Sequence, residues 1–175
     1  MDYDAVLKSY RKKSIATLEQ MTTRFEYSRT AIEKIIPHRD PFLLVDQLHG
    51  LDLDQAVLFA SRHIAESDPV FQGHFPGCPV YPGVLQVEMI GQAGLCLSYF
   101  LNAQQRTISD QARPVNVRAT KILGGYFLEP LLPGQEVSLV VKRLAHETYF
   151  ASVIGQVISG QKICTVAICE VCFVD

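Results

Sequence analysis

The sequence lacks an excess of either charge. Its 175 residues include 16 Lys and Arg against 18 Asp and Glu, which gives a formal net charge of −2. A nucleic-acid-binding domain normally has a basic surplus on its contact face. We therefore expect small molecules or proteins as partners, and no nucleic acid. With 48% hydrophobic residues, the chain is long enough for one well-filled core and short for two.

Cysteines are few and odd in number. The chain is large and apolar enough to fold without disulfides, so its five thiols are expected to be reduced and buried, as in a cytoplasmic protein. Cys169 and Cys172 have the C-x2-C spacing of metal ligands, but they lie in an alternating segment where residues three apart face opposite sides. No second pair completes a zinc site, so no metal is expected.

The features of an exported or membrane protein are also missing. No apolar run of the signal-peptide kind follows the basic residues near the N-terminus, so we do not expect export. The apolar segment 84–101 approaches the length of a membrane span, but Gln86, Glu88 and Gln92 interrupt it. A helix buried inside a protein, with no membrane, is the better interpretation.

The hydrophobic pattern predicts strands on both sides of one long helix. The helix begins at Pro82-Gly83 and ends near Asn102. Because it is apolar on every face, we expect an α+β fold in which an antiparallel sheet wraps around this central helix. The predicted strands are 42–48, 56–64, 114–123, 136–146, 148–158 and 161–173.

Residues 1–30 are predicted to form a helical extension in front of a domain at 31–175. Apolar residues recur at roughly helical spacing between residues 4 and 21. Thr30 and Glu33 then have the spacing of a capping box, which predicts a short helix that ends at Pro37.

The stretch 71–92 is the most informative about function. His74 lies in a Gly/Pro-rich loop before the apolar helix, and Glu88 is the only carboxylate in that helix. A buried carboxylate normally has a partner or a task. Gln92 lies on the same helix face as Glu88, and Gly83 is in the first turn, where free N–H groups favour an oxyanion. These groups suit elimination beside a carbonyl, which on residue chemistry alone is one option among several.

The remaining histidines have no comparable setting. A lone loop histidine is more often structural than catalytic, and a lone helix glutamate usually faces solvent. The case for a site therefore depends on the combination of His74 and Glu88. We interpret the other four as structural or surface residues: His38, His49, His63 and His146.

Two spaced motifs resemble those of a known enzyme family. The first is Pro-His-Arg-Asp-Pro-Phe-Leu-Leu-Val-Asp at 37–46. The second joins Gly-His-Phe-Pro-Gly at 73–77 to Pro-Gly-Val-Leu at 82–85 and then Glu88. Together they resemble the 3-hydroxyacyl-[acyl-carrier-protein] dehydratases of type II fatty acid synthesis, over residues 31–173. With glutamate at this position, the sequence resembles the chain-elongation branch of the family. The branch that also isomerises the double bond has aspartate there.

The resemblance implies a hot-dog fold and a homodimer with both active sites at the interface. It does not decide whether three dimers assemble further into a trimer of dimers. His74 would remove the C2 proton of a 3-hydroxyacyl thioester, and the partner subunit's Glu88 would assist departure of the hydroxyl as water. Gly83 would donate its backbone N–H to the thioester carbonyl, while Gln92 would hold Glu88 or a water. The implied partner is an acyl carrier protein with the substrate on its phosphopantetheine, and no other cofactor is implied.

Several positions depart from the family pattern. Asp40 stands where tyrosine is common, Cys78 where a basic or polar residue is common, and 121–134 lacks the usual arginines. In the family, such arginines would form a basic docking surface for the acidic carrier protein. The basic residues at 8–13 either replace that surface or form a solvated helix face, and we favour the solvated face. The alternatives are a specialised polyketide or polyene pathway, a hot-dog thioesterase, and a non-catalytic carrier-protein-binding subunit. Retention of both His74 and Glu88 argues against the thioesterase.

Overall fold

A computed structural model describes residues 1–174 as one antiparallel sheet curled around a long helix. The strand order is β1-β2-β3-β5-β6-β7-β4, with antiparallel pairing throughout. The strands are β1 Thr23–Ser28, β2 Gln47–Asp52, β3 Val57–His63, β4 Val117–Phe127, β5 Glu136–His146, β6 Phe150–Ser159 and β7 Lys162–Phe173. The α-helices are α1 Tyr3–Ser9, α2 Arg29–Ile32 and α3 Gly83–Ala103, and short 3-10 helices cover Leu18–Gln20 and Pro69–Gln72.

Helix α3 is the centre of the core, as its sequence predicts. It begins after Pro82 and ends where Gln104 adopts a left-handed conformation, with φ of 51°. Fourteen of its 21 residues are buried. A Cβ on Gly155 of β6 would overlap Ile90, so the helix lies directly against the sheet. The helix is long and apolar enough to cross a membrane, but 78% of its most apolar window is buried, which identifies it as a core helix.

The predicted α+β class, with an antiparallel sheet around a central helix, is confirmed, but the first predicted strand is displaced. Residues 42–46 form a loop and β2 runs from Gln47 to Asp52, so only residues 47 and 48 of the predicted strand 42–48 lie in a strand. Leu43, Leu44 and Val45 are nevertheless buried. Their backbone groups bind side chains instead of a neighbouring strand, as the hydrogen bond from Leu44 N to the Gln92 side chain shows. The apolar run at 42–46 therefore indicates burial of these side chains, not pairing of their backbone within a sheet.

The helical interpretation of residues 1–30 is only partly correct. The first helix ends at Ser9, and residues 23–28 form β1, which pairs with β2 and belongs to the sheet. Burial alternates along β1, a period of two that favours a strand over a helix. The next helix begins at Arg29, one residue before the predicted cap at Thr30.

The N-terminal segment, residues 1–22, is fastened to the outer face of the sheet by one buried side chain. Gln156 Oε1 accepts a hydrogen bond from Ile15 N at 2.8 Å, and its Nε2 donates to the carbonyls of Tyr10 and Lys13 at 2.7 and 2.9 Å. Leu7 also packs there, in a small apolar cluster with Ile154. Because successive strand residues face opposite sides, Gly155 meets α3 while Gln156 meets this segment.

Candidate active site

His74 lies in a short loop between a 3-10 helix and α3. Its backbone N–H donates to the Val70 carbonyl at 3.0 Å, and its carbonyl accepts from Val80 N at 3.0 Å. The Phe75 ring stacks on the imidazole at 4.0 Å. Residues 72–79 are exposed apart from His74 itself, which is half-buried. The loop therefore holds this histidine inward while its own surface remains open.

The hydrogen bond of the His74 ring defines which nitrogen can act as a base. Nδ1 lies 2.7 Å from the Val80 carbonyl oxygen. A carbonyl only accepts hydrogen bonds, so Nδ1 must donate and hence carries the proton of the neutral ring. Nε2 then has a free lone pair. This arrangement suits proton abstraction by Nε2.

His74 and Gly83 line the same cavity, of about 450 Å³. Gly83 is the first residue of α3, where the backbone N–H groups have no partner within the helix. These N–H groups and the helix dipole favour a partial negative charge, such as a polarised carbonyl oxygen. The structure therefore brings the predicted base and the predicted oxyanion donor to one site.

Glu88 and Gln92 form a second group on α3. Gln92 Nε2 donates to Glu88 Oε1 at 2.9 Å and also to the Phe42 carbonyl at 2.9 Å, while its Oε1 accepts from Leu44 N at 2.7 Å. Gln92 is buried, and both ends of its amide are therefore fixed. The predicted contact between Gln92 and Glu88 is present.

His38 is a candidate site residue that the sequence analysis missed. Its sequence setting indicates a structural or surface histidine, yet its Nε2 lies 3.4 Å from Glu88 Oε1. Its place in the Pro-His-Arg motif was the available signal, but fifty residues separate it from Glu88. Burial alone would raise the pKa of Glu88, but hydrogen bonds from His38 and Gln92 outweigh this effect and lower it below its ordinary value.

The loop 37–46 holds this second group in place. Arg29 donates to Asp40 and Asp46, each at 2.9 Å, and to the Leu43 carbonyl at 3.0 Å. Asp40, which departs from the family pattern, thus forms an ion pair that braces the loop. The first motif therefore supports Glu88 and Gln92, while the second positions His74 and Gly83.

Within residues 1–174 of one chain, the cavity of His74 does not extend to Glu88. The residues that line the cavity of His74 include Gly83, Val84 and Phe127 but not Glu88. Glu88 instead faces the loop 37–46 and strand β7, where its charge contributes to raising the pKa of Cys169 to about 11, although burial is the larger cause. One chain therefore has the predicted base and the predicted oxyanion donor at one place and the Glu88 carboxyl at another.

The cysteines and basic residues have mostly structural surroundings. All five cysteines are free; Cys96, Cys164 and Cys169 are buried, but Cys78 is exposed, contrary to the prediction, because it lies in the open loop after His74. No group of three His, Cys, Asp or Glu residues within 1–174 is arranged to hold a metal ion. In the N-terminal segment Lys8 pairs with Asp4 at 2.7 Å, and Arg11 lies over the Tyr126 ring at 4.5 Å.

Sequence comparison places the chain among curated dehydratases. The family model of the FabA-like domain matches residues 36–167. A protein named 3-hydroxyacyl-[acyl-carrier-protein] dehydratase FabZ from Campylobacter concisus is 31% identical over 144 residues, covering 82% of this chain and 95% of that protein. The protein of the same name from Nitratiruptor sp. is 36% identical over 115 residues, covering 66% of this chain and 76% of that protein.

Solved structures share the fold at low sequence identity. A chain of the dehydratase heterocomplex ApeI:P from Xenorhabdus doucetiae has a TM-score of 0.61 and 16% identity, covering 82% of this chain and 91% of its own length. The E. coli PaaI protein of the phenylacetic acid degradation operon has a TM-score of 0.51 and 10% identity, covering 73% and 78%. The fold is therefore the predicted hot-dog fold, and from the family match and the curated relatives, the chain belongs to the FabA-like dehydratase family.

Proposed function

We propose that the protein removes water from 3-hydroxyacyl thioesters carried on an acyl carrier protein and forms trans-2-enoyl thioesters. The observation that carries the proposal is the His74 ring, whose Nδ1 binds the Val80 carbonyl and which lines the same cavity as Gly83 in the first turn of α3. The curated relatives are named for this activity. Fatty acid biosynthesis is the favoured setting, and a polyketide or polyene pathway is the narrower alternative.

The reaction needs a base, an acid and a polarised carbonyl. His74 Nε2 takes the C2 proton, and the Gly83 N–H donates to the thioester oxygen as negative charge develops there. The Glu88 carboxyl protonates the departing hydroxyl. The mechanism uses no metal or cofactor besides the phosphopantetheine that carries the substrate.

A homodimer would complete the site, with the partner subunit's Glu88 facing His74. Strand β4 is an edge of the sheet, and its residues 118–122 are all exposed in the single chain. Exposed unpaired edges invite pairing with another chain. Phe127, at the end of β4, lines the cavity of His74, so a partner along β4 would also approach that cavity. Assembly of dimers into a trimer of dimers is compatible with this arrangement.

The carrier protein and the location in the cell are part of the same proposal. The partner is an acyl carrier protein, since the curated relatives are named for a substrate on that protein. Five free thiols are typical of proteins in a reducing compartment, which supports a cytoplasmic location.

The direct test is mass spectrometry of carrier-protein thioesters with 3-hydroxyacyl chains of several lengths, incubated with the purified protein. Loss of one water from some of them would support the dehydratase and give its chain-length range. Release of free acid would indicate a thioesterase instead. If no substrate loses water and the enoyl thioesters are not hydrated either, the proposal fails and a carrier-protein-binding subunit becomes the better account.

A further inference from the structure

His38 contacts Glu88 although the mechanism above assigns it no role. Its Nε2 lies 3.4 Å from Glu88 Oε1, and only 21% of its side chain is exposed. The Phe42 ring is inclined by 29° to the imidazole, with 6.4 Å between their centroids. His38 thus occupies a defined place on the loop 37–46.

The surroundings of the ring indicate its charge. His38 Nδ1 is buried and has no hydrogen-bond partner within residues 1–174. A charged imidazolium would have an N–H at Nδ1 with no acceptor. The protein would then lose the full free energy of desolvating that donor. A neutral ring with its hydrogen on Nε2 leaves only a lone pair there. The favoured form is therefore a neutral imidazole that donates from Nε2 toward Glu88.

The two oxygens of Glu88 differ in their surroundings. Oε1 receives the Gln92 amide at 2.9 Å and faces His38 Nε2 at 3.4 Å. In the described part of the chain, the hydrogen bond from Gln92 and the closer approach of His38 both involve Oε1. An oxygen that accepts from the Gln92 amide and faces His38 Nε2 is a poor position for the carboxyl proton. The proton of the neutral acid is therefore expected on Oε2.

We propose that His38 is a positioning residue for Glu88, which together with Gln92 holds Oε1 so that Oε2 transfers the proton to the substrate hydroxyl. This inference rests on the proposed dehydration. As the C3–O bond breaks, its electron pair stays on oxygen, which takes the Oε2 proton and leaves as water. His74 takes the C2 proton, and the C2–H electron pair forms the double bond. Glu88 becomes a carboxylate that both donors stabilise.

The groups packed against Glu88 stabilise its carboxylate form. The elements packed against it contribute Gln92 from its own helix, His38 from the loop 37–46, and Cys169 from β7. Burial, with a smaller contribution from the Glu88 charge, raises the pKa of Cys169 to about 11, so this thiol is neutral near pH 7. The lowered pKa of Glu88 is the effect expected of such donors: its neutral form is a stronger acid, and it is the minor form near pH 7.

Two substitutions separate a positioning role from a structural one. His38→Leu removes the N–H at similar volume, and His38→Gln supplies an amide N–H of similar reach. We expect His38→Leu to lower kcat about 10- to 100-fold with KM within about twofold, and His38→Gln to recover part of the loss. The matched control is His63→Leu, which removes another His–Glu pair, His63 with Glu136 at 2.8 Å, and should leave kcat unchanged.

A second readout does not depend on activity. Carbon-13 NMR of the glutamate carboxyls, assigned with Glu88→Gln, gives the Glu88 titration directly. The Glu88 pKa should rise in His38→Leu and return toward wild type in His38→Gln. If His38→Leu does not fold, His38→Asn, whose shorter amide does not reach Oε1, replaces it in both measurements.

The outcomes distinguish the two proposals. A wild-type protein that does not dehydrate any thioester overturns the proposed function, whatever the NMR shows. An active wild type whose donor-free His38 variant keeps both its kcat and its Glu88 titration overturns the positioning role alone.

Discussion

The ring of Phe127 lies so close to the backbone of Gly83 that a Cβ on this glycine would be 2.6 Å from it. The absence of a side chain at Gly83 therefore lets the end of β4 cover the first turn of α3. This contact joins the proposed oxyanion donor to the strand along which a second subunit is expected to bind.

Gly83→Ala should weaken catalysis without unfolding the protein. The new methyl group forces either the Phe127 ring or the first turn of α3 to move, which displaces the N–H donor. We expect kcat/KM to fall about tenfold or more, since small displacements at a reacting centre are costly. Gly91→Ala is the control, because its Cβ would meet nothing within 4 Å, and it should stabilise α3 by up to about 1 kcal/mol.

Relief of the steric conflict is the second arm of that experiment. Phe127→Leu in the Gly83→Ala background should recover part of the lost kcat/KM, because it removes the ring that the methyl group meets. Wild-type kinetics in the Gly83→Ala variant would show that the position of this N–H is unimportant.

The depressed pKa of Glu88 predicts a specific dependence of stability on pH. Its folded pKa lies below its unfolded value, so its contribution is fully present above the unfolded pKa of about 4.3 and is lost as pH falls through the folded pKa. Chemical unfolding at pH 6 and pH 3 should therefore show a larger loss of stability for wild type than for Glu88→Gln. The difference is small, because the side chain is 34% exposed and water screens its charge. An equal loss in both proteins would contradict the lowered pKa.

A charge on the β4 edge should separate the subunits and abolish activity together. Ile122 is 66% exposed in the single chain, on the strand proposed to pair with the partner. Ile122→Lys should give a monomer by light scattering, and dehydration should fall with the dimer fraction. Glu26→Lys adds the same side chain at the opposite edge, on β1, and should leave the dimer intact. A monomer with full activity would show that one chain suffices.

Removal of the Gln156 amide should release the N-terminal segment but leave catalysis intact. Gln156→Leu leaves the Ile15 N–H and the Tyr10 and Lys13 carbonyls without their partner, which should cost about 1–3 kcal/mol of unfolding free energy. Trypsin should then cleave faster at the basic residues 11–13, while the rate of dehydration is unchanged. Gln111→Leu, at an exposed position, is the control. Unchanged cleavage would mean that Gln156 does not hold the segment.

The sequence predicts the parts of the fold that depend on local pattern. Helix α3 is apolar on every face, and glycines with φ of +77° and +59° at 134 and 160 mark the turns that bound β5, β6 and β7. Residues 42–46 do not form the first predicted strand, because Leu44 N donates to the Gln92 side chain, 48 positions away in the chain. The contact of His38 with Glu88 is equally remote. Hydrogen bonds of this kind depend on the assembled fold, and hydrophobic periodicity does not predict them.

The most direct test of a shared active site is to mix His74→Ala with Glu88→Gln, each expected to be inactive but folded. In a mixed dimer one site has both defects and the other has both native side chains. Random exchange of equal amounts should therefore restore about a quarter of wild-type activity. Native mass spectrometry confirms the exchange. Mixed dimers that form but remain inactive would contradict the account that His74 of one chain works with the partner subunit's Glu88.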